Sequence, residues 1–297
     1  MSFRIVSAAD ARYFECLRDL LDSLRPLAPP ITVIDLGMSA EQRRHLDAYE
    51  IAIVNFSYPL DYPARRQVET AFPGFGGMLC RPYLNEIVRG YEVIVWLDAD
   101  TWVQQPAAVL ELVEEARRHG MAGVPEVDRG YFKFTEGNHV WDIEADGVRR
   151  LFGAEIGARM RNVPVVNSGV WAVRAQSPLW SAWRGYLQEG LGRIDVIDDF
   201  SRTVEQGAFN VAIRLHGIPL RRFPVTYDWL ACLELPAWHA GRSMLVDPNP
   251  PYDGIRILHI STHLIGKSVV LPAIGGVLDR VGPVMLTRQA IEGLATG

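Results

Sequence analysis

An almost wholly apolar run, Glu92-Val93-Ile94-Val95-Trp96-Leu97, stops at Asp98-Ala99-Asp100. So short an apolar run reads as a buried strand. Alternation along an extended backbone puts Asp98 and Asp100 on one side, so both point into a small volume at the strand end. That is where α/β proteins place their ligands. Two carboxylates held close repel each other unless a cation lies between them. Hard oxygen donors suit Mg²⁺ or Mn²⁺, ions that keep positions open for phosphate oxygens. The bland alternative is a solvated turn carrying two acidic residues.

The surrounding chain alternates strand and helix patterns. Phe3 to Ser7, Ile31 to Leu36 and Ile51 to Val54 read as strands. Arg12 to Leu24 carries apolar residues at helical spacing. Ser39 and Gln42 have the spacing of a capping box for a helix reaching about Tyr49. Asn55 to Gly77, rich in Pro, Gly and aromatics, reads as an irregular loop, and Met78 to Val88 as one helix with Pro82 in its first turn. After the acidic strand end come a helix opened by Pro106 and a strand from Met121 to Val124. This β-α series implies a mostly parallel sheet.

The second half is less regular. Glu126 to Asn162 shows no clean period and reads as an excursion over the sheet. Pro164 to Val173 is a strand, Pro178 to Leu187 and Thr203 to Leu215 are helices, and Leu235 to Pro251 is a Pro-rich loop. Ile255 to Ile260 reads as the last buried strand. No repeat or linker divides the chain, so one domain over residues 1–297 is expected, split functionally into halves 1–103 and 104–297.

A chain of 297 residues, 48% hydrophobic, has ample material for a core. Its net charge of −5 with no basic block argues against a nucleic-acid partner. Cys16, Cys80 and Cys232 show no close pairing and read as reduced thiols of a cytoplasmic protein. No signal peptide and no stretch of transmembrane length is visible; contact with a membrane surface is left open.

His259 ends an apolar strand and is followed by His263 and Gly266-Lys267. A neutral imidazole suits Mn²⁺, Gly266 lets backbone approach a ligand, and Lys267 offers a point charge for phosphate. The competing reading is a core histidine beside a turn with a solvated lysine.

These pieces run in order with others: Ala8-Ala9-Asp10-Ala11-Arg12-Tyr13, Arg81, Leu97-Asp98-Ala99-Asp100, Val166-Asn167-Ser168-Gly169-Val170, Glu205-Gln206-Gly207-Ala208-Phe209-Asn210, and Ile257-Leu258-His259 with Gly266-Lys267. Together they resemble a family 8 glycosyltransferase. The resemblance implies an α/β chain with a single GT-A type domain: a mixed, mostly parallel sheet flanked by helices, with a Rossmann-like N-terminal half. It implies transfer of a hexose from a nucleotide diphosphate sugar, UDP-linked, with retention of configuration, to an acceptor such as a saccharide, lipid-linked saccharide or protein. Asp98, Asp100 and His259 would hold Mn²⁺ or Mg²⁺. Ala8, Asp10 and Tyr13 would meet the nucleoside; Arg81, Gly266 and Lys267 would meet the donor phosphates. Asn167 would contact the sugar, with Glu205 and Gln206 near the anomeric carbon. Ser168 and Glu205 stand where the family usually has Ala and Asp. The spacing His263-Leu264-Ile265-Gly266 also fits the family's ending, so His263 rivals His259 as ligand.

Two other classes compete. Asp98-Ala99-Asp100-Thr101 is similar to the aspartyl-phosphate motif of haloacid-dehalogenase-like phosphatases, with Asp198-Asp199 as a second acidic pair. A nucleotide-sugar-binding protein without turnover would need the same pocket.

Overall fold

The computed structural model describes residues 2–57, 60–71, 74–128, 131, 139–194 and 203–295, apart from the side chains at 69, 71 and 139–144. In chain order the first half contains β1 (Phe3–Ala9), α1 (Phe14–Leu24), β2 (Ile31–Asp35), α2 (Ala40–Leu46), β3 (Ile51–Asn55), α3 (Arg65–Ala71), α4 (Phe75–Cys80), α5 (Leu84–Ile87), β4 (Val93–Leu97), β5 (Thr101–Val103), α6 (Ala107–His119) and β6 (Met121–Pro125). The second half contains α7 (His139–Phe152), α8 (Ala154–Met160), β7 (Val166–Arg174), α9 (Leu179–Gly192), α10 (Val204–Leu215), β8 (Leu220–Arg222), β9 (Trp229–Leu230), β10 (Ala237–His239), β11 (Met244–Val246), β12 (Ile257–His259), β13 (Ser268–Ile274), β14 (Arg280–Met285) and α11 (Arg288–Gly293).

The main sheet has seven strands in the order β3-β2-β1-β4-β7-β6-β8. β1, β2, β3 and β4 run parallel to one another, while β7 lies antiparallel between β4 and β6. This is the mixed, mostly parallel sheet expected. β4 is central and buried on both faces, which explains why its sequence carries no polar alternation. Apolar residues of α1 and α6 cover one face; residues of α9 and α10 cover the other. On that second face Trp96, Trp171, Trp183 and Phe209 form a packed aromatic wall, with Trp171 and Trp183 centred 5.7 Å apart and Trp183 and Phe209 4.4 Å apart.

A three-stranded sheet, β5-β12-β9, stands at the C-terminal end of β4. Its pairing sets His259 opposite Thr101, one residue beyond Asp100. The capping box at Ser39 and Gln42 forms as expected and starts α2.

Three expectations are corrected. The Asn55–Gly77 stretch is not all loop, because it holds α3 and the start of α4. Met78–Val88 is not one helix: Arg81–Tyr83 tightens into a 3₁₀ turn at Pro82, whose nitrogen has no hydrogen to donate. The Leu235–Pro251 loop contains β10 and β11. Ile255–Ile260 supplies β12, the last strand buried along its length, and the largely exposed β13–β14 pair follows it. Within the Glu126–Asn162 excursion lie two helices, α7 and α8. No helix among the described residues is long and apolar enough to cross a membrane.

Candidate active site and metal centre

The two aspartates converge, but not by strand alternation. β4 ends at Leu97, and the chain turns at once, with the Asp98 carbonyl accepting from the Thr101 amide (3.0 Å) and hydroxyl (2.7 Å). The turn folds both carboxylates toward β12. The Ile260 amide then donates to the Asp100 carbonyl at 2.9 Å, fixing the two segments together. His259 Nε2 lies 3.9 Å from Asp98 Oδ2 and 3.5 Å from Asp100 Oδ1. One ligand atom from each of the three residues lies within 4.8 Å of the others.

Gly169 is the floor of this cluster. It lies beside Asp98, whose amide donates to the Gly169 carbonyl at 2.8 Å. A Cβ at Gly169 would lie 2.6 Å from His259 Cε1 and 2.8 Å from both Asp98 Oδ2 and Asn167 Oδ1. Only a residue without a side chain lets the metal-site residues close up. Gly169→Ala is expected to lower stability by about 1–3 kcal/mol by overpacking and to weaken Mn²⁺ binding, checked by thermal unfolding and calorimetry. Unchanged Mn²⁺ binding would mean that the cluster can relax around a methyl group.

Charge makes the same argument as geometry. The buried or half-buried carboxylates of Asp98, Asp100, Glu126, Glu205 and Asp228 share this region with Arg81 and His259. Burial pushes Asp100 up, but the adjacent imidazole outweighs it and holds the carboxyl below its usual range. Burial pulls His259 down, yet Asp100 and Asp228 hold it well above the usual imidazole value. Two carboxylates and one imidazole, gathered around a space too tight for a side chain, fit a divalent cation such as Mn²⁺ or Mg²⁺.

Arg81 is buried and already committed. It pairs with Asp98, donates to Glu205 at 2.6 Å and to Ser168 Oγ at 2.9 Å, and lies 5.1 Å from the centre of the Trp96 ring. Trp96 Nε1 donates to Asp98 Oδ1 at 2.7 Å. The aromatic wall and Arg81 therefore orient Asp98 from behind.

Glu205 is fully buried, and burial is the main reason its carboxyl is raised from 4.5 to about 7 despite Arg81. A folded-state value above the unfolded one means that the folded form binds the extra proton. Its contribution to stability is therefore present at acidic pH and lost as pH rises through about 4.5 to 7. In EDTA, the stability of the parent minus that of Glu205→Gln should fall across this window, by on the order of 1 kcal/mol per pH unit. Unfolding midpoints measured from pH 4 to 8 check this; a flat difference would place an ionised Glu205 against Arg81.

Asp98, Asp100 and His259 open into a cavity of about 690 Å³. Ala8, Asp10 and Tyr13 line one part of it; Asn167, Gln206 and Glu126 line another. Asp10 caps the turn into α1: Oδ1 accepts from the Arg12 and Tyr13 amides, and Oδ2 accepts from the Arg12 guanidinium at 2.9 Å. Tyr13 bonds to Thr262 at 2.8 Å, across the cavity mouth. Gln206 Oε1 accepts from the Ser168 amide at 3.0 Å, and its Nε2 donates to Glu126 Oε1 at 3.0 Å. Asn167 donates to the same oxygen at 2.7 Å.

Glu205 backs Arg81 rather than facing the cavity, while Gly266, Lys267 and His263 are exposed and outside its walls. Asp198 and Asp199 lie outside the described residues. Glu126 and Asp228 were not singled out from sequence. Glu126 follows β6 as Asp98 follows β4, so a carboxylate just past an apolar strand was a usable signal. For Asp228 the only signal was an acid within the aromatic stretch Tyr227-Asp228-Trp229.

The fold is GT-A-like. The crystal structure of the galactosyltransferase LgtC with donor and acceptor sugar analogues superposes with a TM-score of 0.53, at 14% identity over 86% of each chain. An active-site Gln-to-Glu mutant of LgtC gives 0.50 at 14% identity over 86% of each chain. The apo structure of the bifunctional glycosyltransferase WbbM gives 0.52 at 11% identity, covering 88% of this chain and 46% of that one. No protein-family model and no curated protein sequence matches the chain.

Proposed function

We propose that this protein is a metal-dependent retaining glycosyltransferase that moves a hexose from a UDP-linked donor to an acceptor. The observation that carries the reading is the Asp98–Asp100–His259 cluster opening into a nucleotide-sized cavity of a GT-A-like fold. Mn²⁺ or Mg²⁺ bound there would act as a Lewis acid toward the charge developing on the leaving diphosphate. Ala8, Asp10 and Tyr13 would hold the nucleoside. Asn167 and Glu126 would hold sugar hydroxyls. Arg81 would hold Asp98 in its ligating position. Gln206 is an amide and a poor nucleophile, so a front-face substitution fits, with its oxygen facing the positive charge at the anomeric carbon. A cytoplasmic location belongs to the same reading and rests on the free thiols of Cys16, Cys80 and Cys232.

The test is a hydrolysis screen over nucleotide sugars with Mn²⁺ and with EDTA. Donor cleavage only with metal supports the reading. Phosphate release from generic esters supports the phosphatase, and protection by nucleotide without any cleavage supports the binding protein. His259→Ala should weaken Mn²⁺ binding strongly while His263→Ala leaves it intact, as titration calorimetry would show. The reverse result would move the ligand to His263.

A further inference from the structure

Asp228 belongs to none of the motifs that suggest donor binding, yet its fully buried carboxylate meets His259 directly. It precedes β9, which runs parallel to β12 with Leu230 beside His259. Residues alternate along a strand, so Asp228, Leu230 and His259 face the same side of this small sheet. His259 Nδ1 lies 2.9 Å from Asp228 Oδ1. An ionised carboxylate only accepts, so Nδ1 carries a hydrogen and Nε2 is the ring nitrogen at which a cation would take the place of a proton. Nε2 is the atom that faces Asp98 and Asp100.

We propose that Asp228 is the positioning residue for His259, fixing its tautomer and ring orientation and thereby setting how tightly the site holds a divalent cation. This rests on the cation reading of the Asp98–Asp100–His259 cluster.

The backbone around the pair is clamped. The Asp228 amide donates to the Val225 carbonyl at 2.9 Å, the Ala231 amide to the His259 carbonyl at 3.0 Å, and the Leu230 amide to Tyr131 Oη at 3.2 Å. The carboxylate thus cannot drift from the ring. Its side chain is fully buried, and Oδ2 has no hydrogen-bond partner among the described residues. A carboxylate buried with one oxygen unsatisfied is a poor structural choice, since burying an incompletely paired charge opposes folding. It is a good choice behind a metal-binding histidine, where the negative charge strengthens the ring as a donor.

The experiment is a calorimetric Mn²⁺ titration of the parent, Asp228→Asn, His259→Ala and the double variant, with unfolding midpoints measured in EDTA. Asp228→Asn should bind Mn²⁺ about 10–100-fold more weakly. In the His259→Ala background the same change should add no further loss, because its effect passes through the ring. A purely structural carboxylate would move the EDTA midpoint and leave Mn²⁺ affinity within twofold, which overturns the inference. So does a loss that persists without His259. If Asp228→Asn does not fold, Asp228→Ser enters the same cycle and is judged by the same outcomes. A parent that fails to bind Mn²⁺ overturns the cation reading itself, and this inference with it.

Discussion

Asp100→Asn is expected to abolish the stabilisation that UDP confers in the presence of Mn²⁺, and donor cleavage with it. In the parent, UDP at about 100 times its dissociation constant should raise stability by about 2.7 kcal/mol, and only when the ion is present. Asp100 is the cleaner choice of the two aspartates. Its carbonyl holds Ile260 through the backbone, which the substitution preserves, and its carboxylate faces His259 rather than the aromatic wall. The asparagine oxygen remains a weak ligand, but the charge that offsets the cation is gone. Asp98→Asn removes the same charge and also disturbs Arg81 and Trp96, so its loss would mix metal binding with packing. Differential scanning fluorimetry with UDP, with and without Mn²⁺, reads the result. An Asp100→Asn protein that keeps the full metal-dependent shift, or a parent with an equal shift in EDTA, would sink the metal-bridge reading.

What the sequence disclosed about this site depended on how local each signal was. The apolar run into Asp98 and Asp100 is contiguous, and it located the strand end correctly even though a turn rather than alternation brings the carboxylates together. Ser39 and Gln42 form a local cap and were legible for the same reason. Asp228 and Glu126 were not, because their meaning comes from partners 31 and 41 residues away in sequence. Ser168 is similar: it sits in a readable strand, but its hydroxyl joins Arg81 to Glu205 across the interior. Punctuation also misled. Pro63, Pro73 and the glycines near Phe75 suggested loop. Gly77, however, lies in a helix, where a Cβ would come within 2.9 Å of Leu36 Cδ1, so this glycine serves close packing rather than a turn. The β13–β14 pair carries Pro272 and Gly282-Pro283, residues that weaken a strand pattern, and its register shifts between Val269 and Leu271.

Gln206→Ala separates chemistry from binding. The amide is held from both ends: Ser168 donates to its oxygen and Glu126 accepts from its nitrogen. The Gln206 oxygen lies 3.0 Å from the Ser168 amide and 3.2 Å from the Ser168 hydroxyl, and the residue lines the cavity. An oxygen dipole fixed this way needs no reorganisation when positive charge develops at an anomeric carbon beside it. That charge exists mainly in the transition state, so its loss should lower kcat far more than it raises KM. Removing one such preorganised contact costs about 2.7–4 kcal/mol, or roughly 10² to 10³ in kcat. Gln206→Ala should therefore bind UDP with Mn²⁺ nearly as the parent does, and cleave donor two to three orders of magnitude more slowly. Gln206→Glu keeps an oxygen but leaves Glu126 facing a like charge; it should recover only part of the rate, and less at higher pH as the pair ionises. The contrast with Asp100→Asn, where binding itself is lost, makes the outcome diagnostic. If Gln206→Ala turns over at the parental rate, the amide merely links β7 to α10, and the reacting centre lies elsewhere along the cavity.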